Sequence, residues 1–142
     1  MKLKRLSGMF LLSGSLLIAH PASARDPLTA MLAGDSALQG KKLDRAMEKA
    51  SGHPFGSAEN PVRASTPVGQ RAYLDRLRCA DGSTPSYSRG GSVGDSPYGN
   101  IMDRYHVDCG AAGPGSAQIY MDMYHKGHVE SAAVPGFTIL EP

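Results

Sequence analysis

The sequence predicts a small α+β domain, with one or two N-terminal helices packed on an antiparallel sheet of three or four strands. Three observations carry this. Residues 35–50 place Leu43, Ala46, Met47 and Ala50 at helical spacing among charged neighbours. Residues 101–109 and 117–126 alternate with a period of two around a turn rich in Gly, Ala and Pro, which describes a β-hairpin. The 142 residues, with 17 Gly, 10 Pro and no Trp, suit one loop-heavy domain with a modest core.

The N-terminus sets the expected compartment. Lys2, Lys4 and Arg5 precede an apolar run at residues 6–19, broken only by small Ser and Gly, and Ala22-Ser23-Ala24 then offers small residues to a signal peptidase. The run is well short of the ~20 residues that span a bilayer. A signal peptide at residues 1–24 is therefore expected, with a retained anchor as the alternative, followed by an N-terminal segment at 25–34 and a single α+β domain at 35–142. The expected location is periplasmic or secreted, with no membrane span after cleavage. Three of the 15 basic residues lie in this leader and none of the 13 acidic ones, leaving 12 against 13, a net charge of −1. That balance argues against a nucleic-acid partner.

Cys79 and Cys109 are the only cysteines. In an oxidising compartment an isolated pair forms a disulfide, and the spacing is far from a redox-active C-x-x-C.

From residue 25 onward, Asp26 and Pro27 read as an N-cap and first helical position, so residues 25–34 form a short helix or a frayed end. The main helix begins at Asp35 or Ser36 and packs on the sheet, with Gly52 and Pro54 closing it. Residues 53–66 read as a loop. His53, Glu59, Asn60 and Arg63 are its candidate site residues, set against a plain structural connection. Thr66 and Pro67 start another helix, expected to reach about Tyr73 and then give way to a central strand ending at Cys79. Residues 83–100 are dominated by Gly, Ser and Pro and read as a flexible hairpin excursion. Residues 137–140 offer a short edge strand.

Several segments resemble a group of small exported bacterial proteins with no established activity. They are His-Pro-Phe-Gly-Ser-Ala-Glu-Asn-Pro-Val-Arg (53–63), Tyr-Leu-Asp-Arg-Leu-Arg-Cys-Ala-Asp-Gly (73–82), Pro-Tyr-Gly-Asn-Ile-Met-Asp-Arg-Tyr (97–105) and Tyr-Met-Asp-Met-Tyr-His (120–125). The resemblance covers most of the chain after the leader. It implies a self-contained domain in the bacterial envelope and no particular chemistry.

The chemistry-bearing residues concentrate in the hairpin, where Met-Asp-x-Tyr-His occurs twice, at 102–106 and 121–125. The pairing that buries the more apolar faces matches residues whose numbers sum to an even value, such as Val107 with Met121. It sends Asp103 and Asp122 to opposite faces. The second copy, near a glycine-rich exit, is the better site. Arg89, Asp122, Tyr124 and His125 are the expected ligand-binding residues, with no catalytic set, no metal and no cofactor assigned. His106, Asp108, His125 and His128 carry zinc-type donors but lack a ligand spacing. The expected function is an exported binding or structural protein of the cell envelope whose partner is an envelope protein or a small ligand. One alternative is a small hydrolase using Asp103, Asp122 and His125. The other is an inhibitor-like or toxin-like factor, which needs a protruding loop at 83–95. No oligomeric state follows from the sequence.

Overall fold

The computed structural model describes residues 26–142; the expected leader at 1–24 lies outside the described residues. Helix α1, Pro27–Leu32, starts as its sequence dictates: Pro27 sits in the first turn and the Asp26 carboxylate accepts from the Thr29 N–H at 3.2 Å. Helix α2 is Gly40–Ala50 and begins later than Asp35. The Leu38 N–H donates instead to the Tyr98 carbonyl at 2.8 Å, which holds residues 35–39 against the 96–100 turn and out of the helix. Neither helix is the one that packs on the sheet, since α1 buries no residue and α2 only Ala50.

That role falls to α3, Pro67–Arg76, which follows the two-residue strand β1, Val62–Arg63. Thr66 caps α3 by accepting from the Gly69 N–H at 3.2 Å. The expected central strand at 74–79 does not form. Gln70, Tyr73, Leu74 and Leu77 fall at i, i+3, i+4 and i+7, all four are buried, and this helical stripe overrides the short alternation. Only Leu77–Arg78 (β2) is extended.

Strand β3, Ser86–Asp95, replaces the expected flexible excursion. It pairs antiparallel with β4, Ile101–Asp108, with register shifts after Arg89 and after Ser92. Strand β5, Ser116–Asp122, ends before Lys126, and β6, Thr138–Ile139, pairs antiparallel with β2 in a separate small sheet. The main sheet runs β1-β5-β4-β3, with β1 parallel to β5 and the other pairs antiparallel. The architecture is thus α+β around a mostly antiparallel four-stranded sheet.

Register fixes which side chains share a face. Met102 opposes Asp122, Asp103 opposes Met121 and Tyr105 opposes Ile119. The parity is the one expected, although Val107 faces Ala117 rather than Met121. Asp103, Tyr105, Val107, Ile119 and Met121 therefore point to one face, where Tyr73, Leu74 and Leu77 of the α3 segment join them with Val62, Val134 and Phe137 in the core. Each large apolar side chain among them contributes about 1.5–3 kcal/mol by burial. Met102 and Asp122 point to the other face.

Cys79 and Cys109 are bonded, with their Cα atoms 5.8 Å apart, and tie the end of α3 and β2 to the end of β4. Among the described residues no helix is long and apolar enough to cross a membrane.

Candidate functional site: a buried Asp–His pair at the wall of a cleft

The site is built by the turn that follows β5. Tyr124 has φ +67°, a left-handed conformation that a bulky side chain adopts at a cost of order 1–2 kcal/mol. The bend carries His125 back over Asp122, and His125 Nε2 lies 2.8 Å from Asp122 Oδ2. The His125 N–H donates to the Ala64 carbonyl at 3.0 Å and the Ala64 N–H to the Asp122 carbonyl at 2.7 Å, so the chain after β1 braces the bend from its other side.

Residues 96–100 brace it further. Ser96 Oγ donates to the same Asp122 Oδ2 at 2.7 Å and itself accepts from the Tyr98 N–H at 3.0 Å. The Tyr98 ring meets His125 edge-on at 6.4 Å between centroids, and its hydroxyl donates to Asn60 Oδ1 at 2.8 Å. Asn100 donates to the Met123 carbonyl at 2.7 Å and accepts from Ser36 at 2.8 Å. Burial pushes the Tyr98 phenol up, opposed first by the Arg63 cation nearby.

Asp122 is fully buried, and its second oxygen, Oδ1, has no partner among the described residues. Burying a carboxylate costs several kcal/mol unless donors compensate it, so the charge depends on Ser96 and His125. With Asp122 ionised its oxygens only accept, and Nε2 of His125 then carries the hydrogen between them. In the neutral ring Nδ1 is then a lone-pair acceptor. Among the described residues the enclosed side-chain polar atoms lacking a partner are Arg104 Nε and Asp122 Oδ1. His125 Nδ1 bonds to no residue described, and the side chain is 5% exposed.

His125 lines an open cleft of about 550 Å³, between residues 33–43 on one side and Arg63 with residues 125–128 on the other. Gly34 lets these walls approach: its φ is +79°, and a Cβ there would stand 2.6 Å from the Tyr124 carbonyl oxygen. Arg63, Lys126 and His128 line the cleft with His125, and Asp35 is the acidic side chain in its wall. Among the described residues Arg89 pairs with Asp103, and the His125 and His128 rings lie against Asp122 and Glu130; Arg63 enters no such pair. The first turn of α2 also faces the cleft through Gln39 and Gly40, with no side chain capping it.

Of the residues expected to bind ligand, Asp122 and His125 come together. Arg89 does not join them. Its Nε and Nη2 hold both oxygens of the buried Asp103 at 2.8 and 2.7 Å, on the opposite face of the sheet. Tyr124 is half-buried and lines a separate hollow of about 230 Å³ with Leu32 and Thr66. The trio Asp103, Asp122 and His125 is accordingly split between two faces. Ser96 does not restore a hydrolytic relay, because Asp122 stands between the hydroxyl and the imidazole, whereas a nucleophilic serine needs the imidazole next to it. Arg63 was visible in the sequence as a loop candidate. Tyr98 was visible as one of a cluster of tyrosines suited to binding, whereas Ser96 and Asn100 were hidden in a Gly-, Ser- and Pro-rich stretch that reads as a flexible hairpin excursion. Among the described residues no three His, Cys, Asp or Glu side chains converge as metal ligands.

No family model, curated protein or solved structure matches the chain.

Proposed function

We propose that this protein is an exported binding protein of the bacterial envelope that holds a small ligand in the cleft beside His125. The observation that carries the reading is a fully buried carboxylate, Asp122, spent on fixing one imidazole in the wall of an open cleft. A purely structural role does not call for the strained Tyr124 turn that positions this ring. The basic, apolar and small-residue leader and the Cys79–Cys109 bond support export to the periplasm or beyond. Hydrolysis is less well supported, since Asp103 is bound to Arg89 on the other face. An inhibitor-like role is less well supported, since most of residues 86–95 pair with β4 and do not form a free loop.

The test is an amide chemical-shift titration of the oxidised protein against neutral sugars, amino acids, organic acids and inorganic anions at matched ionic strength. Saturable shifts gathered at Gly34, Arg63, His125 and Gly127 are expected from at least one solute class. A panel that moves none of these amides overturns the reading.

A further inference from the structure

The donors and the acceptor in the cleft wall, taken together, narrow the ligand. We infer that the cleft takes a small oxyanion that also carries an O–H group, as hydrogen phosphate and the 2-hydroxycarboxylates do. This rests on reading the cleft as the binding site. Arg63 supplies a guanidinium that pairs with no acid among the described residues and sits in the same wall as His125. A guanidinium fork matches two oxygens of a carboxylate or phosphate. Lys126 adds a second cation, and Gln39 and Gly40 bring the start of α2, which no side chain caps, to the same space. Asp35 and the Glu130-bound His128 complete the charged lining.

Charge alone would admit any anion. The discriminating group is His125, whose side chain is only 5% exposed. With Nε2–H committed to Asp122, Nδ1 is the ring nitrogen left to meet a ligand in the cleft, and in the neutral ring it is an acceptor. An anion without a hydrogen to donate leaves that lone pair stripped of water and opposed to its own oxygens. An anion with an O–H satisfies it. A site built to accept from a hydroxyl rejects analogues that lack one, because its own polar group is then left unpaired.

The experiment compares inorganic phosphate and lactate, which carry the O–H at neutral pH, with sulfate and acetate, which do not. Binding is read by amide shifts of the full oxidised chain at constant ionic strength. Phosphate, lactate or both should saturate the cleft amides, with sulfate and acetate weaker by about tenfold or more. Saturation by phosphate alone assigns a phosphoryl ligand, and by lactate alone a hydroxycarboxylate. Arg63→Gln, at a half-buried strand position, should weaken all of these anions together. Equal binding of sulfate and phosphate, or an Arg63→Gln protein that holds phosphate as tightly as before, overturns the inference. If a neutral solute saturates the same amides and the four anions do not, the ligand class is wrong and the binding site stands. If nothing moves those amides, both fail.

Discussion

At the residue scale the two halves of the doubled Met-Asp-x-Tyr-His motif end in different chemistry. Asp103 is 1% exposed and is satisfied by Arg89, whose side chain is 52% exposed. Asp122 is buried with His125 and Ser96. The register expected from burying the apolar faces already sends the two acids to opposite faces; what the sequence did not show is the partners each meets there. Arg89→Ala should cost about 2–3 kcal/mol in denaturant unfolding by leaving Asp103 uncompensated, less than for a fully buried pair because water reaches the vacated position. Adding Asp103→Leu to that variant should recover part of the loss, and a single variant as stable as the wild type would contradict the role given to the pair. Gly34→Ala should lose about 1–3 kcal/mol, because its Cβ would press on the Tyr124 carbonyl at a positive φ. An unchanged melting curve would show that the wall of the cleft is not so tightly drawn.

At the element scale, composition spoke clearly where a cap or a long alternation existed. Asp26 and Thr66 cap α1 and α3, and β4 lies where alternation placed it, while β5 starts as expected but stops at Asp122 instead of reaching Lys126. It failed where tertiary contacts decide. The Gly- and Ser-rich β3 is held by its pairing to β4, and the helical stripe ending at Leu77 outweighs a competing period of two. The segment after β5 is pinned by Arg76 Nη2 donating to the Glu130 carbonyl at 2.5 Å and Nη1 to the Leu140 carbonyl at 2.9 Å. The Glu130 carboxylate is itself a latch. Burial would raise its pKa, but hydrogen bonds from His128 and the Ala132 and Ser131 N–H groups outweigh it and hold the group below its ordinary 4.5. A depressed folded-state pKa contributes stability that is present above the unfolded value and lost as pH falls through the folded one. Glu130→Gln should therefore flatten the stability profile below about pH 4.5; a profile as steep as that of the wild type would place the acid sensitivity elsewhere.

At the scale of the whole molecule, the fold class and the single disulfide were legible from helical spacing, alternation and two cysteines. The site was legible only in part. Asp122 and His125 are close in sequence, but the Ser96 and Arg63 that complete their surroundings arrive through the sheet and its loops. The disulfide joins residues 30 apart in sequence, which the loop-entropy model values at roughly 3–4 kcal/mol. Reduction should lower the unfolding midpoint correspondingly, and a midpoint indifferent to reductant would remove the bond from the account of stability.

The central claim is that Asp122 fixes His125 so that Nδ1 serves the cleft. Long-range ¹H–¹⁵N correlation spectra of the His125 ring, recorded with and without inorganic phosphate, test it most directly. The account predicts an Nε2–H ring in the free protein and an Nδ1 resonance that moves to saturation as phosphate is added, while Nε2 holds its place beside Asp122. An Nδ1–H ring in the free protein, or an Nδ1 resonance that phosphate leaves unmoved, would contradict it.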